Sequence, residues 1–137
     1  MNNSLKPEIW GTHGWKFMHY VSLGYPENPT TNDKDLYKNF YYSLQDVLPC
    51  QKCRINYINN IKEYPIDPHL ENKDSLVKWV IDIHNKVNEE LNKPKLEYQE
   101  AIDLYLNATE EQPILDYCFR TIILLIILYF LYILLKK

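Results

Sequence analysis

Glycine is scarce in this sequence, at 3 of 137 residues, which disfavours turn-rich β folds and glycine-rich phosphate loops. Cysteine is equally scarce. Cys50, Cys53 and Cys118 are too few for the disulfide scaffold of a small secreted protein. Phosphate binding needs clustered Lys and Arg, and a formal net charge of -3 gives no reason to expect a nucleic-acid partner. The N-terminus, MNNSLKPEIW, lacks a basic stretch followed by an apolar one. No secretory signal is therefore expected, and the cytosolic side is the default compartment. No run of useful length alternates in the β manner, and no segment repeats.

What is present is apolar and aromatic: 46% hydrophobic residues, 14% aromatic, with 12 Tyr and 3 Trp. The Asn, Lys, Ile and Tyr bias reads as that of a genome. Helical periodicity recurs. Pro7 opens an expected helix over 7–24 carrying Trp10, Trp15, Phe17, Met18 and Val21. A second runs from Asp33 to Leu48, where Pro49 interrupts, and a third covers 50–63. A Pro-containing connection leads to a fourth over 74–92, with Asp74 as its N-cap and Lys93-Pro94 closing it. A short fifth covers 98–107. The expectation is an all-α fold, a compact bundle of about five helices.

The tail differs in kind. Thr121 to Leu135 reads TIILLIILYFLYILL, without a charge. As a helix these residues span roughly 22 Å, short of a ~30 Å hydrocarbon core, and extending back to Tyr117 includes only Arg120, which can snorkel. A buried core helix is the alternative, but a helix apolar on every face needs a larger core than so short a chain supplies. The expected organisation is a domain over 1–108, a linker over 109–117 and a transmembrane anchor over 118–135. Basic residues flank both ends of the tail, so charge does not set its orientation.

Cys50-Gln51-Lys52-Cys53 is the chemical centre. A lone C-x-x-C is half a zinc site, a redox disulfide or two structural cysteines. Zinc would need two ligands from His13, His19, His69 and His84, none of which form an H-x-x-x-H pair. Pro49 puts Cys50 at or near a helix start, where free N–H groups stabilise a thiolate, and Lys52 and Arg54 add positive charge. All three readings remain open on this motif alone.

Two further segments bear on it. Gly11, Trp15 and His19 fall at successive i+4 positions, giving a side-chain-free gap, a flat aromatic wall and a polar donor in one stripe. A core helix with a satisfied His is the plainer reading. Trp79-x-x-x-x-His84-Asn85-x-Val87-Asn88 puts one His and two Asn in mid-helix, costly unless a ligand or solvent meets their polar atoms.

Together, W-G-x-x-x-W-x-x-x-H, C-x-x-C and W-x-x-x-x-H-N-x-V-N-x-x-L-x-K-P resemble the Erv/ALR family of FAD-linked sulfhydryl oxidases, over roughly residues 8–106. The resemblance implies a helical bundle cradling FAD, with Cys50 and Cys53 as the catalytic pair against the flavin ring. It implies that Gly11, Trp15, His19, Tyr57, His84, Asn85, Val87, Asn88 and Lys93 line the cofactor site, and that no metal is required. Tyr105 stands where many relatives carry an aromatic against the cofactor.

The implied reaction takes electrons from a thiol-bearing protein, such as a small thioredoxin-like dithiol carrier, through the Cys50–Cys53 disulfide and FAD to oxygen, giving hydrogen peroxide. In it the carrier attacks an exposed sulfur of Cys50, and Cys53 lies nearer the flavin. The resemblance also implies a homodimer. Many relatives carry a second disulfide of spacing C-x16-C; the matching positions here are Ile81 and Tyr98, a joint loss that looks like the short branch of large DNA viruses. A host cytoplasmic membrane system or a virion membrane is then the expected location, with Cys118 an inert or lipid-modified juxtamembrane thiol. The alternatives are a membrane-tethered zinc-binding adaptor and a structural virion membrane protein.

Overall fold

The computed structural model describes residues 5–106 and 113–136. Among them it holds six α-helices, one 3₁₀ turn and no strand: α1 Pro7–Leu23, α2 Thr31–Val47, α3 Gln51–Glu63, the turn Asp67–His69, α4 Lys73–Glu90, α5 Tyr98–Leu106 and α6 Pro113–Leu135. All five expected domain helices form. Their starts are set by caps that the apolar pattern does not register. α2 begins at Thr31 rather than Asp33, because Thr30 and Asp33 close a reciprocal capping box. α4 is capped by Asn72, whose side chain accepts from the Ser75 N–H, and not by Asp74, which lies in its first turn. Its far end stops at Glu90, and Asn92 then reverses the chain at φ 52°. The 3₁₀ turn in the Pro-containing connection was not expected.

The first unit, ending at Tyr105, packs α1 against α4, α2 against α3, and α3 against α4. Its core is unusually rich in rings whose polar tips find backbone carbonyls. Tyr41 donates to Met18 O at 2.9 Å, Tyr57 to Tyr41 O at 3.1 Å, Tyr25 to Leu70 O at 2.9 Å, and Trp79 Nε1 to Tyr64 O at 2.9 Å. Each tie buries a large apolar body without orphaning its donor, so the tyrosine content becomes core. Burial pushes the Tyr41 and Tyr57 hydroxyls well above their usual range, keeping them neutral donors. A smaller cluster of Val77, Ile81, Ala101 and Tyr105 seats α5 on another side of α4.

In the second unit, α6 includes a 19-residue stretch, Tyr117–Leu135, with mean hydropathy 2.5. That stretch spans roughly 28 Å. The expected boundary at 108 and residues 109–112 of the expected linker lie outside the described residues, and 113–117 are already helical.

Candidate active site: the Cys50–Cys53 disulfide and its cavity

Pro49 separates α2 from α3, and Cys50 takes the N-cap of α3 in an extended conformation. Its Sγ accepts from the Cys53 N–H at 3.2 Å, satisfying one of the free donors of the helix start. The two cysteines form a disulfide, with Cα atoms 5.1 Å apart. Two ties fix the entry to this turn: Leu5 N–H donates to Pro49 O at 2.9 Å, and Arg54 Nη1 to Leu48 O at 2.5 Å. No acid occupies the first turn of α3, so nothing there opposes a thiolate. Cys50, expected to present the exposed sulfur, is the more buried residue of the pair. Capping folds the side chain back over the helix end and leaves Cys50 only 6% exposed, with Cys53 the more accessible of the two.

The disulfide opens onto a cavity of about 610 Å³, within the size range of cofactor pockets. α1 contributes Trp10, Gly11 and Trp15; α3 contributes Cys50, Cys53 and Tyr57. α4 adds His84, Val87 and Asn88, and beyond them come Lys93 and Tyr105. Nothing lies within 4 Å of where a Cβ on Gly11 would sit, so that backbone faces open space. Lys93 is held there by its own N–H, which donates to Asn88 O at 2.8 Å across the reversal at Asn92.

Two residues the sequence pointed to stand behind the wall. His19 does not line the cavity; it is buried, with Nε2 3.0 Å from His84 Nδ1, so one ring donates and the other accepts. Asn85 spends both ends of its amide on one residue, donating to Leu96 O at 2.9 Å and accepting from Leu96 N–H at 2.7 Å. Burial, then the nearby His84, pushes His19 down to about 3, and burial, then Lys93, pushes His84 down to about 4. Both rings are neutral at physiological pH.

Trp10, which opens the W-G-x-x-x-W-x-x-x-H motif but is not among the expected cofactor residues, also lines the cavity, one residue off the Gly11–Trp15–His19 stripe. Its ring occupies the space over Gly14, where an added Cβ would come within 3.1 Å of it. The glycine four residues on was the available signal. Its Nε1 is buried without a hydrogen-bond partner among the described residues. Among those residues no three His, Cys, Asp or Glu side chains gather as a metal set.

Comparison with known proteins agrees with this arrangement. Residues 12–106 match the Erv1/Alr family. Over 100 residues the chain is 52% identical to a "Probable FAD-linked sulfhydryl oxidase" of Acanthamoeba polyphaga mimivirus, covering 72% of this chain and 70% of that one. It is 33% identical over 90 residues to the mitochondrial FAD-linked sulfhydryl oxidase ERV1 of Saccharomyces cerevisiae, covering 66% of this chain and 47% of the yeast protein. The crystal structure of the FAD binding domain of Erv1 from the same yeast superposes with a TM-score of 0.69 at 30% identity, covering 74% of this chain and 94% of that one. The chain belongs to the Erv1/Alr family of FAD-linked sulfhydryl oxidases.

Proposed function

We propose that this enzyme oxidises dithiols in protein substrates through the Cys50–Cys53 disulfide, passing the electrons by way of FAD to oxygen. The observation that carries the reading is that the disulfide and the Trp15–His84 wall face one cavity. The residues present suit FAD. The buried Trp10 Nε1 lacks an acceptor, which an acceptor-rich dinucleotide supplies. Gly11 leaves backbone open for close approach, and Trp15, Tyr57 and Tyr105 offer flat apolar walls. His84, Val87, Asn88 and Lys93 would hold the cofactor directly, with His19 and Asn85 holding that wall from behind.

The chain's own chemistry is thiol–disulfide exchange. A substrate thiolate attacks one sulfur of the pair, the Cys50–Cys53 bond breaks, and a mixed disulfide forms with one enzyme thiolate released. The second substrate thiolate resolves it, so the substrate leaves oxidised and the enzyme keeps two electrons as a dithiol. A thiolate at Cys50 is stabilised by the Cys53 N–H and the end of α3. Bound FAD supplies the two-electron acceptor and the route to oxygen, which leaves as hydrogen peroxide.

A small thioredoxin-like dithiol carrier is the proposed substrate, because a paired thiol resolves the mixed disulfide within one encounter. A homodimer is supported by an apolar face across two helices. Ile9 and Phe17 of α1 and Leu36 and Val47 of α2 are exposed, and Phe17 and Phe40 join them edge to face at 6.0 Å. Tyr117–Leu135 serves as a membrane anchor, its length close to the ~30 Å hydrocarbon core. Oxygen consumption on adding dithiothreitol to purified protein tests the activity. Uptake with matching peroxide supports it, and a folded, FAD-loaded protein that consumes no oxygen defeats it.

A further inference from the structure

The cavity wall that includes Tyr105 has no covalent tie to α4: among the described residues the one disulfide joins Cys50 to Cys53. α5 has only nine residues, too short to hold its place by intrinsic helicity. Its position is therefore set by what it touches. Ala101 and Tyr105 pack on Val77 and Ile81. At its first residue, the Tyr98 hydroxyl donates to Asp82 Oδ1 at 2.6 Å, and the Lys78 ammonium sits 5.6 Å from the centre of the Tyr98 ring. Lys78, Asp82 and Asn85 occupy i, i+4 and i+7 of α4, one stripe along that helix. Asn85 adds its two bonds to Leu96, just before α5.

Seven residues after Tyr98, two turns along the same face, the Tyr105 ring stacks on His19 with centroids 4.1 Å apart and planes 16° from parallel. His19 in turn bonds His84. The anchor at Tyr98 is thus connected, through α5, to the rings that shape the cavity.

We propose that Tyr98, gripped by Asp82 and Lys78, is a positioning residue that holds the Tyr105 wall of the cofactor cavity by a tie that reducing thiols cannot open. The enzyme's substrates are themselves reducing thiols. The hydrogen bond and the cation–π contact are indifferent to them. The inference rests on the reading of the cavity as the FAD site.

The test is equilibrium titration of FAD into the FAD-free full chain in detergent, with hydrogen exchange followed on α5. Tyr98→Phe and Asp82→Ala each weaken FAD binding about three- to tenfold, and combining them adds little, because both remove one bond. Exchange rises in α5 and stays unchanged in α2 and α3, while kcat at saturating FAD is retained. In a Cys50→Ser/Cys53→Ser background, an added Ile81→Cys/Tyr98→Cys pair leaves FAD affinity as it was when oxidised and lowers it when a phosphine reduces it; the background's affinity does not respond to the phosphine. Unchanged FAD affinity and α5 exchange in Tyr98→Phe overturn this inference alone. A parent chain that binds no FAD overturns the cofactor reading, and this inference with it.

Discussion

The Trp15 indole lies flat against the His84 imidazole, with ring centroids 4.0 Å apart and planes 8° from parallel. The pair joins α1 to α4 and begins a row of four rings: Trp15, His84, His19 and Tyr105, the middle two hydrogen-bonded and the last two stacked. Three helices converge on this row, so damage to one ring is felt by the others.

His84→Ala removes both the stack and the partner of the buried His19. It is expected to cost about 1–3 kcal/mol from the stranded imidazole alone. Trp15→Phe keeps a stacking face and is expected to cost less, about 1 kcal/mol. Urea unfolding of the FAD-free protein measures both, and the two losses should not add, since the residues touch.

The same histidines set a pH dependence. Their folded-state values are depressed to about 3 and about 4, so the fold binds fewer protons there than the unfolded chain. Their contribution is complete above the ordinary value of 6.5 and is lost as pH falls from there through about 4 to about 3. Melting temperature should decline across that window. The decline should be shallower in a His19→Gln/His84→Gln variant.

Thr30→Ala opens the capping box at the start of α2. About 1 kcal/mol of stability should be lost. The cap lies outside the cavity lining, so FAD affinity and thiol oxidation should be unchanged once the protein is folded. Thermal melting and flavin titration separate the two quantities.

Removing the apolar segment tests the anchor. A chain ending at Asn107 should stay in the aqueous phase with its flavin spectrum and thiol oxidation intact. The full chain should float with phospholipid vesicles and resist carbonate extraction. Equal partitioning of the two would contradict the anchor.

The helices were legible because apolar positions in this chain keep a helical period, and the cysteine pair because Pro49 marks a helix start. Depth was not legible. Gly11, Trp15 and His19 share a stripe, but periodicity states a face and not a layer; His19 sits one layer behind His84. Asn85 follows His84 yet turns to Leu96, a contact eleven residues away that no local pattern encodes. Asn72 and Asp74 are both competent caps, but Asn72 holds the extended backbone of the cap and accepts from the Ser75 N–H, while Asp74 lies in the first turn. The burial of Cys50 follows from cap geometry, which the motif does not contain.

The most direct test of electron flow from the Cys50–Cys53 pair into a bound flavin is anaerobic dithiothreitol reduction of the purified protein, followed by its visible absorbance. The parent enzyme should be yellow, bleach on reduction and regain its colour with hydrogen peroxide when oxygen returns. Cys53→Ala should stay yellow throughout. A folded parent that takes up no FAD, or bleaching at the parent's rate in Cys53→Ala, would contradict the account.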